Sequence, residues 1–154
     1  MDSIDRKILA LYQDDTRRIA GSIGSKVGLS AAAVQRRLKR LRSDGTIVAE
    51  VAVLDNRAMG VPIACIVTVS LASGAAQIDR FKRQIKAHPE VQQCYHVTGS
   101  TDFVLVVTAA SMEEYGVFAR DWFETPHVAR YETHVVLDRV KAGLALPIRS
   151  GGAD

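Results

Sequence analysis

The chain has 154 residues, 47% of them hydrophobic and 24% charged, with two cysteines and a net charge of +3. That composition supports one domain or two small ones with real cores, and excludes a disordered chain, a disulfide scaffold and a cysteine-rich zinc site. No apolar run approaches the roughly 18 residues of a membrane span, and Met1-Asp2-Ser3-Ile4-Asp5 is acidic where a secretion signal is basic and then apolar, so a cytoplasmic chain with no membrane partner is expected.

Residues 1–56 hold ten Lys/Arg against seven Asp/Glu, while the rest holds ten of each, so the positive excess sits in the first third. Half of those ten cations fall between Arg36 and Arg42, a stretch without an acid. Clustering of that kind is the footprint of a polyanion partner.

The first third predicts three short helices. Asp2 or Ser3 caps the first, whose apolar face is Ile4, Ile8, Leu11 and Tyr12. Asp14-Asp15-Thr16 supplies a turn. A second helix then places Ile19, Ala20, Ile23 and Val27 inward, with Gly21 and Gly24 each costing about 1 kcal/mol relative to Ala. Gly28 ends it in a left-handed conformation. Ser30 caps a third helix, Ala31 to Ser43, that buries Val34, Leu38 and Leu41 and leaves its polar residues on the remaining faces. Thr46 to Leu54 reads as a strand or two-stranded wing, and residues 51–62 as a hinge strand and linker.

From Ile63 strands alternate with helices. A strand at 63–71 is followed by a turn at Ser73-Gly74 and a helix at 75–88 with Ile78, Phe81 and Ile85 inward. Strands at 91–98 and 103–109 flank the turn Gly99-Ser100-Thr101-Asp102. A Ser111/Glu114 capping box opens a helix that buries Tyr115, Phe118 and Trp122, and 128–140 is the last strand. His88-Pro89-Glu90-Val91 and Thr125-Pro126-His127-Val128 mark a weak internal repeat. The fold class is therefore α+β: an N-terminal helix-turn-helix (winged-helix-like) domain at 1–50, a ferredoxin-like βαββαβ domain at 63–141, and a flexible tail at 142–154 with no assigned role. Two helices cover one face of the sheet. The near-continuously apolar strands predict that a second copy of the chain covers the other, giving a homo-oligomer of at least a dimer.

A glycine-containing turn before a basic third helix is the helix-turn-helix pattern, whose third helix lies in the major groove of double-stranded DNA. In that pose Ser30 and the first-turn amides, including those of Ala31 and Ala33, donate to a phosphate. Gln35 and Arg36 make bidentate contacts to adenine or guanine, and Arg37, Lys39, Arg40 and Arg42 meet backbone charge. Reversing Arg37 and Arg40 to Glu is expected to abolish DNA binding and leave the oligomer intact, because both charges read as lying away from the core.

Asp2-Ser3-Ile4-Asp5-Arg6-Lys7-Ile8-Leu9, Lys26-Val27-Gly28-Leu29-Ser30 and Val34-x-x-Arg37-Leu38-Lys39-Arg40-Leu41-x-x-x-Gly45-Thr46-Ile47, in that order, resemble the Lrp/AsnC (feast/famine) transcription regulators of bacteria and archaea. Gly99-Ser100-Thr101-Asp102 corresponds to that family's Gly-x-x-Asp turn in its ligand-binding sandwich, the RAM domain. The resemblance spans about residues 2–141. It implies a promoter-binding, nucleoid-associated protein without catalytic residues, metal or cofactor, whose dimers join through their sheets and gather into octamers. It also implies a small-molecule effector, usually an amino acid, bound between dimers near the turn. Carried onto this chain, Thr98, Gly99, Ser100 and Asp102 become effector-site residues, with Thr133 and His134 on the last strand as further ones. The amides of Gly99 and Ser100 suit a carboxylate, and Asp102 suits an ammonium.

Siroheme decarboxylases look like the same two-domain family, and under that reading His96 and His134 are the reactive positions. Five cations without an acid in the seven residues Arg36–Arg42 argue against an enzyme. A DNA-compacting architectural protein without an effector is the other alternative. The four histidines show no metal-ligand spacing, and no nucleophile elbow or glycine-rich phosphate loop occurs.

Overall fold

The computed structural model describes residues 1–72 and 75–148, with Ala75 and Ala76 by backbone alone. The chain divides into two compact units, Met1–Ala52 with the segment from Lys141 onward, and Val53–Val140. The expected turn at Ser73-Gly74 and the last six residues of the tail lie outside the described residues. Among the described residues, no helix is long and apolar enough to cross a membrane.

The first unit holds α1 (Ser3–Tyr12), α2 (Ala20–Val27) and α3 (Ala31–Ser43). Asp2 caps α1 reciprocally: its carboxylate accepts the Asp5 amide at 2.7 Å, and the Asp5 carboxylate accepts the Asp2 amide at 2.9 Å. Val34 and Leu38 of α3 pack with Ile8, Tyr12 and Ile23, and Leu41 is also fully buried. Ile19 departs from expectation. It is the extended N-cap residue of α2, ahead of the helical stripe, and stands 74% exposed.

Gly24 is buried, and a Cβ there would lie 2.3 Å from the Leu29 carbonyl oxygen. The amides of Gly28 (φ 74°) and Leu29 both return to the Gly24 carbonyl, so the turn closes directly onto α2. Helix propensity counts Gly24 as a cost; packing makes it a requirement. Gly24→Ala is expected to destabilise this unit by about 2 kcal/mol, read as a lower melting temperature. Gly21→Ala, with nothing within 4 Å, serves as the neutral control. Equal melting of the two variants would contradict the packing account.

Thr46–Leu54 forms no strand and no wing, contrary to its β-branched composition. Such residues gain from a sheet only when a neighbouring strand supplies the ladder, and no pairing with this segment occurs among the described residues. Val48 and Val53 are therefore almost fully exposed. Near the other end of the chain, the Gln13 amide donates to the Leu146 carbonyl at 2.9 Å and accepts its N–H at 3.0 Å. Leu146, in the segment 142–154 read as a flexible tail, thus has a partner in Gln13.

The second unit holds β1 (Ile63–Leu71), α4 (Ala75–Ile85), β2 (Val91–His96), β3 (Phe103–Ala109), α5 (Met112–Phe123) and β4 (Val128–Val135). All neighbours in the sheet, ordered β2-β3-β1-β4, are antiparallel. Cys65, Val67, Val69, Phe103, Leu105 and Val107 point to the helix side and form the core with Phe81, Ile85, Tyr115, Phe118 and Phe123. The strands alternate more than their composition implies: β3 runs buried and half-buried in turn, with Val104 and Val106 on the open face. Ile66 and Tyr95 on that face are 40% and 50% exposed.

Candidate nucleic-acid interface and ligand turn

Four of the eight residues from Ala31 to Leu38 face solvent on one side of α3: Ala31, Ala32, Gln35 and Arg36, with Lys39 one turn further on. Ser30 Oγ accepts the Ala33 amide at 3.2 Å, which leaves the first-turn amides of Ala31 and Ala32 without a partner in the helix. Ala33 itself is half-buried. Arg36 and Lys39 have no ion-pair partner among the described residues.

Of the five cations only Arg37 is half-buried, yet three of the five are engaged by carboxylates of their own unit. Arg37 Nη1 reaches Asp2 at 2.7 Å and Asp5 at 2.8 Å, and Arg40 Nη2 reaches the other Asp5 oxygen at 2.5 Å. Asp5 is only 1% exposed and lies on the apolar face of α1 with Ile8 and Tyr12. Burial pushes its carboxyl upward, but the Asp2 amide and the Arg37 guanidinium outweigh that and hold it below the usual carboxylate range. Beside it, the Arg37 and Asp5 hydrogen bonds bring the Asp2 carboxyl down to about 2. Arg42 is engaged as well: its Nε donates to Glu50 at 3.0 Å, its Nη2 to the Tyr12 hydroxyl at 2.7 Å, and that hydroxyl donates to Glu50 at 2.7 Å. The Tyr12 hydrogen bond, with Arg42, lowers the Glu50 carboxyl. Sequence reasoning missed both anchors, Asp5 and Glu50. For Asp5 the signal was present, since the steps 5, 8 and 12 place a carboxylate on the buried stripe.

In the second unit Thr98, Gly99, Ser100 and Asp102 come together in the β2–β3 connection. Gly99 has φ 119°, a conformation that favours glycine. Asp102 is largely occupied by its own fold: one carboxylate oxygen accepts the Leu71 amide at 2.7 Å, its amide donates to the Val69 carbonyl, and its carbonyl accepts the Val97 amide. Ser70 donates to the Ser100 carbonyl at 3.3 Å. Thr133 and His134 are not brought to this turn. They pair with Val67 and Ile66, further along β1, and as adjacent strand residues they point to opposite faces. The Thr133 hydroxyl bonds the Tyr115 hydroxyl under α5, whereas His134 is exposed on the open face.

His96 and His134, the pair an enzyme would need, also lie on opposite faces of the sheet, and His96 stacks on Phe103 at 4.9 Å. No cluster of metal-ligating side chains occurs among the described residues. Burial raises the thiols of Cys65 and Cys94, which leaves them poor nucleophiles.

Residues 1–42 match the AsnC-type helix-turn-helix domain, and residues 64–146 match the Lrp/AsnC ligand binding domain. The HTH-type transcriptional regulator y4tD of Sinorhizobium fredii is 47% identical over 150 residues, covering 96% of this chain and 89% of that protein. Among solved structures, an AsnC family transcriptional regulator from Agrobacterium tumefaciens is 28% identical at TM-score 0.86, covering 96% of this chain and 97% of that one. A transcriptional regulator from Neisseria meningitidis, solved as a complex with L-Met, is 26% identical at TM-score 0.88, covering 96% of each chain. These matches are to regulators and not to decarboxylases. The chain belongs to the Lrp/AsnC family and is a DNA-binding transcriptional regulator with a ligand-binding domain, not an enzyme.

Proposed function

We propose that α3 enters the major groove on the face formed by Ser30, Ala31, Gln35, Arg36 and Lys39. The observation that carries this is the division of the basic cluster: Arg36 and Lys39 stand free on the exposed face, while Arg37, Arg40 and Arg42 are held by carboxylates of their own unit. Gln35 and Arg36 then read base edges, and Lys39 with the free amides of Ala31 and Ala32 meets phosphates. Arg37, Arg40 and Arg42 orient the helix. The DNA duplex therefore loses its binding face by charge reversal at positions 36 and 39 rather than at 37 and 40.

The effector is an amino acid or a related metabolite at the Thr98–Asp102 turn. The L-Met complex of the Neisseria regulator supports that class. The second Asp102 oxygen and the amides of Gly99 and Ser100 supply the matching chemistry. The half-exposed apolar positions of the open sheet face support pairing with a second copy, and we extend this to an octamer of a cytoplasmic, nucleoid-associated protein. The working domain limits are 1–50 for DNA, 51–62 for the hinge and 63–141 for the effector and assembly. A thermal-shift screen of the twenty amino acids identifies the effector. Asp102→Asn, which keeps the acceptor for the Leu71 amide, is expected to weaken the responding amino acid about tenfold with DNA affinity unchanged. Loss of both together would assign the turn a structural role only.

A further inference from the structure

Arg42 is held differently from Arg37 and Arg40. Those two divide the oxygens of Asp5, a carboxylate 1% exposed on the apolar face of α1. Arg42 instead meets Glu50, whose side chain is 35% exposed and which lies in the segment that forms no strand. Three donors converge on the one atom Glu50 Oε1: Arg42 Nε at 3.0 Å, Arg42 Nη2 at 2.9 Å and the Tyr12 hydroxyl at 2.7 Å. Tyr12 is itself buried. Its hydroxyl accepts Arg42 Nη2 at 2.7 Å, and its ring centroid lies 5.6 Å from the guanidinium carbon. Arg42 thus has a fixed partner in Tyr12 and a removable one in Glu50.

A guanidinium edge and a hydroxyl closing on one anionic oxygen suit a phosphate oxygen as well as a carboxylate one. The position on α3 suits it too. Arg42 stands three residues after Lys39 and seven after Gln35, on the same exposed stripe. That separation is roughly 10 Å along the helix, comparable with a major groove roughly 12 Å wide. With Gln35 at a base edge, Arg42 comes to the phosphates of the groove wall. Residues 48–51 are all exposed, so the Glu50 side chain swings away without uncovering the core.

We infer that Arg42 and the Tyr12 hydroxyl form a phosphodiester site, which Glu50 fills in the free protein and yields to the DNA backbone on binding. The inference rests on the reading that α3 enters the major groove, and it adds an internal competitor to that reading. The exchange replaces one anionic acceptor with another, so the three donors stay satisfied, and the released carboxylate passes to water. Arg42 keeps its hold on Tyr12 and continues to orient the helix. Because phosphate contacts carry no sequence information, Glu50 lowers affinity by a similar factor for every duplex.

Glu50→Gln keeps a neutral acceptor for Tyr12 and removes the competing charge, while Glu50→Ala removes both. In the full-length protein each should bind a random-sequence duplex about three- to fivefold tighter than the native chain does. Loss of an acid also raises affinity through charge alone, and that effect would persist without Arg42. The deciding variant is therefore Arg42→Gln combined with Glu50→Gln, a neutral pair that still reaches Tyr12. It should erase the gain and take about 0.9 from the slope of log affinity against log salt. A gain that survives the loss of Arg42, or no gain in either Glu50 variant, overturns the inference. Failure of the groove reading itself shows elsewhere: Arg36→Glu with Lys39→Glu would then leave affinity unchanged, whereas failure of this inference alone leaves that loss in place.

Discussion

Asp5→Ala is expected to destabilise the N-terminal unit by about 2 kcal/mol, because Arg37, Arg40 and the Asp2 amide lose a buried charged acceptor, while both guanidinium groups keep access to solvent. Arg37→Glu with Arg40→Glu should do worse, placing two new carboxylates against one that is 1% exposed. On sequence that double change removes DNA contacts and leaves the assembly intact; on structure it unfolds the unit that carries α3. Melting of residues 1–52 ahead of the sheet unit, followed by amide exchange, checks this, and native-like protection of α1 and α3 in the double variant would refute it. The same network sets an acid limit. Asp2 and Asp5 both have lower pKa values folded than unfolded, so their contribution is complete above about pH 4 and is lost as pH falls toward about 2. The Asp5→Ala variant should show a flatter stability profile across that range.

The second large effect falls on binding with the fold untouched. Arg36→Glu with Lys39→Glu changes two exposed residues that have no ion-pair partner among the described residues. DNA affinity should drop by about a hundredfold or more at moderate salt, and the slope of log affinity against log salt should lose about 0.9 for each phosphate contact removed. The melting temperature should stay at the native value. Together the two pairs separate holding the helix from using it. Positions 37 and 40 cost stability first, and positions 36 and 39 cost affinity alone.

Much of this was readable from residue spacing. The three helices, the left-handed Gly28, the Ser30 cap and the strands at 63–71 and 103–109 follow from apolar periodicity and turn chemistry that tertiary packing does not override. The role of the basic cluster was only half legible. Arg37 stands three residues after Val34 and four before Leu41, on the buried stripe of α3, as Asp5 stands on that of α1. Counting cations hides that placement, whereas reading each against the helical period shows it. The missing wing at 46–54 was not legible, because β-branched composition states a preference and the ladder partner decides whether it is met. Gly24 was misjudged for a similar reason: propensity scores a helix alone, and the carbonyl 2.3 Å from its missing Cβ belongs to the next turn. The turn at 98–102 was legible from its Gly, Ser and Asp, and it forms the β2–β3 connection. Thr133 and His134, adjacent on β4, point to opposite faces of the sheet and lie away from that turn within one chain.

The exposed face of α3 is the claim on which the functional account depends, and photocross-linking tests it most directly. A photoreactive side chain at position 32, 35 or 39 of the full-length protein, mixed with a duplex selected from a random pool, should cross-link to DNA, and one at position 98 should not. Cross-links from position 98 with none from 32, 35 or 39 would place the duplex elsewhere and contradict the account.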